Sequence, residues 1–311
     1  MIVYLFRRLL ATIPTIFGVA LILFLLLDVV GGDPSYQMVG RHATARQLEE
    51  VRHEYYFDRP LPVQFGIFLE QIVTFDYGRS FATRRLISEI LKDGIEPSLS
   101  LAIPAFSITT ILAVLIGLFV AYFRGTWWDK SIVIFCVFGM SVSMLAYILF
   151  GQYVFAFKLG WFPISGYETD WSQRWSFIAL PALIWITVGL GYDVRFYRTA
   201  ILEEVNQDYV RTARAKGLPE IRVFLKHVLK NSMVPILTFM IIEIPLLILG
   251  SFLLENFFGI PGLGNTMIDA IHNSDFPVIR ALTMLGSLLF IFGNLLTDLL
   301  YTMVDPRVVL K

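Results

Sequence analysis

LLATIPTIFGVALILFLLLDVV, residues Leu9–Val30, is the stretch whose reading decides the fold. It is about 22 residues long, and its one ionisable group, Asp28, falls in the last turn. As a helix it matches the roughly 20 apolar residues that a bilayer core demands. Arg7 and Arg8 in front of it would also suit a secretory signal. A signal core, however, runs only about 7–15 residues and ends in a small-residue cleavage pattern. Here Gly31-Gly32-Asp33-Pro34 follows instead. The expectation is a retained first transmembrane helix, residues 1–30.

Five further stretches qualify or nearly do: Leu99–Phe123, Ser131–Phe157, Phe177–Tyr192, Met233–Leu254 and Ala281–Val304. The fourth of the six is the shortest and is entered through Leu180-Pro181, so it should recruit flanking residues or sit where the wall is thin. None alternates polarity with period two, which excludes barrel strands and leaves helices as the spanning form. Composition agrees. The 311 residues are 56% hydrophobic and only 16% charged, against about 25% charged in a soluble domain. A net charge of zero gives no global field for nucleic acid. The lone cysteine, Cys136, excludes an intrachain disulfide and reads as a small buried apolar residue. The fold class is an all-α membrane protein with about six transmembrane helices.

Residues 31–97 differ in character. They mix charges such as Arg46, Glu49, Glu50, Arg52 and Glu54 with aromatics such as Tyr36, Tyr55, Tyr56, Phe57 and Phe65. Disordered segments are poor in aromatics, so a small ordered module outside the membrane is expected. Thr44 and Gln47 have the spacing of a capping box, and Pro60 and Pro62 should break the helix it opens. Residues 98–311 form the core.

Orientation follows from the basic residues of the short loops. With six spans, Arg7 and Arg8, Arg124 and Lys130, the group from Arg195 to Lys230, and Arg307 and Lys311 all fall on one side. The other side carries Lys158, Arg174 and the acid-bearing Glu255–Pro277. Both termini and the basic loop, residues 195–231, are therefore expected in the cytoplasm.

No enzyme signature survives. No lysine follows a glycine, so a phosphate-cradling Gly-Lys-Ser/Thr loop is absent and the chain is not expected to hydrolyse ATP. His42, His53, His227 and His272 lack metal-ligand spacing. Gly31-Gly32-Asp33 matches only half of an intramembrane aspartyl protease motif, with Val30 where glycine is required. No cofactor or metal is expected in this chain.

The informative segment is Asp208-Tyr209-Val210-Arg211-Thr212-Ala213-Arg214-Ala215-Lys216-Gly217-Leu218. It has helix formers, small residues at Ala213, Ala215 and Gly217, and stops at Gly217 and Pro219. A close approach to a protein partner through the small residues, with Arg211, Arg214 and Lys216 pairing acids, is one reading. A basic helix lying on anionic lipid is the other, and the residues alone leave the two level.

Here the sequence resembles a known family. The segment is similar to the "EAA" coupling loop of ABC importer membrane subunits in its peptide-permease form, and His227, Asn231 and Pro235 fit downstream. Gly32-Asp33-Pro34, then Glu255-Asn256-Phe257-Phe258-Gly259-Ile260-Pro261-Gly262-Leu263-Gly264, then Asp298-Leu299-Leu300-Tyr301 and Asp305-Pro306-Arg307 match in order along the chain. Arg211 stands where the general pattern is acidic, as is common in the peptide branch. The chain resembles the first membrane subunit of dipeptide/oligopeptide importers, which carries a long external segment after span one. The resemblance implies a type I importer permease fold and a bacterial inner-membrane location. It implies as partners a second homologous permease, two cytoplasmic ATPases that bind ATP and magnesium, and an external binding protein. It implies that Asp208, Tyr209, Arg211, Ala213, Arg214, Ala215, Lys216 and Gly217 meet an ATPase. Sister subfamilies carry nickel chelates, glutathione or oligosaccharides. A secondary transporter or channel, and a membrane enzyme, are the rival classes. Co-purifying ATPases would separate them from an importer.

Pathway candidates come from polar or irregular residues in apolar surroundings. Phe258, Pro261, Gly262 and Gly264 suggest a short re-entrant or interfacial turn that forms an outer gate or docks the binding protein. Glu243 sits near the middle of the fifth stretch, where an unpaired acid facing lipid costs about 2.5–3.5 kcal/mol. It should face a wet pathway, a partner or a proton. Gly250, one heptad on, should share its helix face. Ser287, Asn294 and Asp298 form a stripe at helical spacing that should face protein. Asp28 and Asp193, near span ends, are expected to reach water.

Overall fold

A computed structural model describes residues 2–31, 35, 44–54 and 56–304, and their side chains except those of 2–6, 9, 54 and 298–304. Gly32-Asp33-Pro34, Asp305-Pro306-Arg307 and the Asp298 side chain lie outside the described residues. The described residues are helical apart from turns and one isolated bridge, Arg79 to Leu86.

Helix α1, Ile2–Phe24, continues through a wider π-helical segment, Leu25–Val30. Two short helices follow, α2 (Ala45–Glu54) and α3 (Leu61–Thr74). Then come α4 (Ile87–Tyr122), α5 (Trp127–Ser141), α6 (Met144–Gly151, extended by π-helical Gln152–Lys158) and α7 (Trp171–Val205). Helix α8 (Asp208–Ala215) and α9 (Glu220–Val223) lead through π-helical Phe224–Val228 into α10 (Leu229–Leu249). The chain ends in α11 (Phe252–Phe258), α12 (Leu263–His272) and α13 (Phe276–Val304).

Five of these paths are long and apolar enough to cross a membrane, and α5 with α6 makes a sixth if the bent pair is one span. The outward faces explain the composition: Ile134, Phe135 and Phe138 on α5 are two-thirds or more exposed. Water would penalise such a surface, whereas lipid or a second membrane chain accepts it.

Several expectations need correction. The run Ser131–Phe157 is not one straight span but bends by 88°. Ser143 caps the second limb by accepting a hydrogen bond from the Ala146 N–H. The fourth span is not the shortest, since α7 has 35 residues. The apolar window missed polar ends that remain helical, and Pro181 sits inside the helix. Arg174, assigned above to a loop, lies in α7 and is 1% exposed. It donates to Glu96 at 2.5 Å and to the Glu168 and Thr169 carbonyls, and it stacks over Trp171. The boundary at residue 97 falls inside α4, which runs unbroken through Pro97 and Pro104. The fifth stretch is interrupted where Gly250 ends α10 at φ +73°, so Gly250 is not on the helix face of Glu243.

The acids near span ends do not reach water. Asp28 is buried against Arg280, 252 residues away, tying α1 to α13. Asp193 is 3% exposed. Between α1 and α4 the capping box forms as expected: Thr44 N–H donates to Gln47 Oε1 at 3.0 Å, and Gln47 N–H returns to Thr44 Oγ1. Pro60 and Pro62 do not break α2, which has already ended at Glu54. They open α3, where a proline's missing N–H costs nothing. Phe65 of α3 packs edge-on against Phe17 of α1.

Candidate functional site

Three polar constructions stand out from this apolar frame. The first is the turn around α8. Asp208 in the first turn complements the helix dipole. Val210 and Ala213 are buried on one face, in a cluster with Ile201, Val205, Val223, Phe224 and Val228. The helix is therefore clamped to the end of α7 and to the segment leading into α10. Its stop is a Schellman motif: Gly217 N–H donates to the Arg214 carbonyl, and Leu218 N–H to the Ala213 carbonyl. Gly217 has φ +74°, a conformation that side chains resist. Pro219 then caps α9.

The opposite face is open. Asp208, Tyr209, Arg211, Arg214, Ala215, Lys216 and Gly217 are all exposed. Arg211 pairs with Asp208, and Arg214 spans the turn to Glu220 at 2.8 Å. Tyr209 donates to the Glu204 carboxylate. Partial burial of the ring, and then that hydrogen bond, push its phenol up to about 12. One expectation fails: Ala213 is 5% exposed and small because it packs inside its own chain, so it is not free to meet a partner. Ala215 and Gly217 keep that possibility.

The same end holds a contact that sequence reading missed. Arg198 of α7 forks onto Asp129 of α5, with Nε 2.8 Å from Oδ1 and a terminal nitrogen 3.0 Å from Oδ2. Gly125 N–H donates to the same carboxylate, and Arg124 reaches Asn206. The α4–α5 turn is thus fastened to the helix that delivers α8. The available signal was an acid in the first turn of an apolar run, with no indication of its partner 69 residues on.

The second construction explains the Glu255–Gly264 motif. Glu255 is wholly buried. Ser98 of α4 donates to its Oε1 at 2.8 Å, Asn265 N–H donates to its Oε2 at 3.1 Å, and Leu263 N–H donates to Ser98. The carboxylate thereby lies at the amino end of α12, where the dipole favours it. Glycines make room for it. A Cβ on Gly250 would lie 1.8 Å from a Glu255 oxygen, on Gly262 2.3 Å, and on Gly264 2.9 Å. Of the gate candidates, Phe258 is 1% exposed and packs with Leu101, Ile148, Leu254 and Ile260, while Pro261 is exposed. The segment is a helix–turn–helix pinned to the α6–α7 loop and to the extension of α6, because Gly166 N–H and the Gln152 amide donate to the Phe258 and Phe257 carbonyls.

The third is acidic. Glu243 on α10 is half-buried, and Asp193 on the neighbouring α7 is buried. Ser287 and Asn294 lie along adjoining cavities between α1 and α13, the larger about 560 Å³. Among the described residues no cluster of His, Cys, Asp and Glu could hold a metal ion.

Comparison with known proteins places this geometry. Residues 113–310 match the model of the binding-protein-dependent transport system inner membrane component, and residues 1–102 match the corresponding N-terminal model. A putative peptide transport system permease protein of Brucella abortus is 36% identical over 305 residues, 97% of each chain. The glutathione transport system permease protein GsiC of Shigella flexneri is 35% identical over 308 residues, 99% of each chain. That of Salmonella choleraesuis is 34% identical over the same length.

Proposed function

Because the chain belongs to the binding-protein-dependent transport system inner membrane component family, we propose that it is the permease subunit of an ATP-driven importer whose solute is a di- or oligopeptide. The chain is a multi-pass membrane protein and a transport component rather than an enzyme. The observation that carries the mechanism is α8, which buries one face in its own chain and offers the other outward. In this reading the outward face docks on a cytoplasmic ATPase, which supplies the ATP and magnesium chemistry.

The coupling is mechanical. Val210 and Ala213 make α8 move with the end of α7, and the Arg198–Asp129 pair makes α5 follow. Closure of an ATPase pair then rocks helices as packed bodies, since interfaces of this kind shift between discrete arrangements. The assembly contains a second homologous permease, two ATPases and an external binding protein in the bacterial inner membrane, with both termini in the cytoplasm. Residues 31–97 lie on the external side. Glutathione, itself a small peptide, is the second reading, favoured by the name of the Shigella flexneri relative.

The test is reconstitution of the chain with its partner chains in proteoliposomes, with labelled tri-alanine and glutathione offered separately through the cognate binding protein. ATP-dependent uptake of tri-alanine supports the peptide reading. Uptake of glutathione alone replaces it with the second.

A further inference from the structure

Among the described residues, Asp193 and Glu243 take part in no hydrogen bond and no ion pair, although both lie within membrane-crossing helices. Two carboxylates so placed need a counter-charge or a proton, because ionised groups at membrane depth are costly unless paired. The surrounding elements offer none. Helix α4 presents Thr110, α5 presents Cys136 and Met140 beside Gly191, and α13 presents Gly293 to α10. The nearest cation on α7, Arg195, lies on the exposed side against the Met140 sulfur.

The second observation is a pair of orphan hydroxyls. Tyr197, one turn beyond Asp193 on α7, is wholly buried, and its hydroxyl has no partner. Helical spacing puts Asp193 on the face of Tyr197, and Phe239, which Tyr197 meets, lies one turn before Glu243, so the α7–α10 contact brings the two acids to one seam. Thr110 Oγ1 on the facing helix is likewise buried and neighbours the Tyr197 hydroxyl, and no well-formed hydrogen bond satisfies either. Buried hydroxyls are rarely left so, and each orphan asks for a missing partner. Around them stand aromatic rings. Phe239, one turn before Glu243, stacks on Phe196 with ring centroids 4.6 Å apart, and Tyr197 meets Phe239 edge-on at 6.0 Å.

We propose that Asp193 and Glu243, with the Thr110 and Tyr197 hydroxyls and the Phe196–Phe239 ring pair, form an intramembrane site for an organic ammonium group, the amino-terminal ammonium of a translocating peptide. The proposal rests on the peptide reading above. An ammonium has three donors and no acceptor, which suits a floor of carboxylates and hydroxyl oxygens. Aromatic faces beside those oxygens distinguish an organic cation from an alkali ion. Glu243 and Phe196 are partly exposed whereas Asp193 and Tyr197 are buried, so the ammonium approaches from the Glu243 side.

The test uses the assembled transporter and a lipophilic carbodiimide, with adduct formation at Glu243 followed by mass spectrometry. Saturating tri-alanine should slow modification of Glu243 by about tenfold, and N-acetyl-tri-alanine, which lacks the ammonium, should not. In Asp193→Asn, Glu243 should still react but lose that protection. Equal protection by both peptides, protection by neither, or protection by sodium or potassium chloride alone overturns the site. So does a Glu243 that never reacts in the peptide-free transporter, because a partner's cation then fills the position. ATP-driven uptake of tri-alanine by the wild type is measured alongside. If uptake proceeds without protection, this inference falls alone; if no peptide is taken up, the peptide reading falls with it.

Discussion

The hydroxyl of Ser98 and the carboxylate of Glu255, 157 residues apart in sequence, are joined by a 2.8 Å hydrogen bond in a fully buried position. Around this bond three glycines stand back and the amino end of α12 is held. Glu255→Ala would leave Ser98 and the Asn265 N–H without their acceptor, at about 1–3 kcal/mol for each unsatisfied group. Thermal unfolding of the purified chain in detergent should show a clearly lowered midpoint. Gly250→Ala should be at least as damaging, since its methyl would overlap the carboxylate and its φ is positive. An unchanged midpoint in both variants would show that the node holds nothing.

Topology gives the second prediction. Single cysteines in place of Arg46 and Arg214, in a Cys136→Ala background, should react with a membrane-impermeant thiol reagent from opposite sides. With α5 and α6 as one span, three crossings separate the two positions, and the basic loops put Arg214 in the cytoplasm. Reaction from one side only would refute the six-span arrangement.

The third prediction concerns Gly217. A Cβ there would meet nothing within 4 Å, so the chain itself has room for a side chain. The φ of +74° opposes one, at about 1–2 kcal/mol, and the bulk would project from the surface of α8. Gly217→Leu should insert and assemble yet hydrolyse ATP without transport. If α8 instead lay on lipid, Gly217→Leu would transport normally and neutralising Arg211 and Arg214 would be the damaging change.

Much of this was legible in advance, and what was not has physical causes. Apolar runs such as Leu9–Val30 announce themselves because the bilayer sets one length for all. Breaks inside such runs do not. Val142-Ser143 and Gly250 are too few to lower a local average, yet an extended residue or a positive φ turns the chain. The α8 stop was readable because glycine and proline act locally. Ala213 was misread because smallness signals close packing without saying against what. The Asp28–Arg280 and Asp129–Arg198 pairs join residues that only the folded chain brings together. The glycines near Glu255 were visible as a motif, but their shared purpose, clearance for one carboxylate, needs three dimensions.

A fourth prediction is spectroscopic. Tyr209 has its ionisation raised from the ordinary 10 to about 12, first by partial burial of its ring and then by its hydrogen bond to Glu204. A phenol that ionises later when folded stabilises the fold fully below pH 10, and that contribution is lost as pH rises towards 12. The ultraviolet phenolate signal near pH 12 should shrink in Tyr209→Phe, and the variant's stability should fall less steeply between pH 10 and 12. A phenolate signal near pH 10 that disappears in the variant would contradict the Tyr209–Glu204 contact.

The most direct measurement is ATP-driven uptake by proteoliposomes holding the assembled transporter, with the binding protein and labelled tri-alanine on the binding-protein side. Our account predicts accumulation only with hydrolysable ATP on the α8 side, abolished by Gly217→Leu while assembly and ATP hydrolysis persist. Uptake that needs no ATP and follows an imposed ion gradient would contradict it.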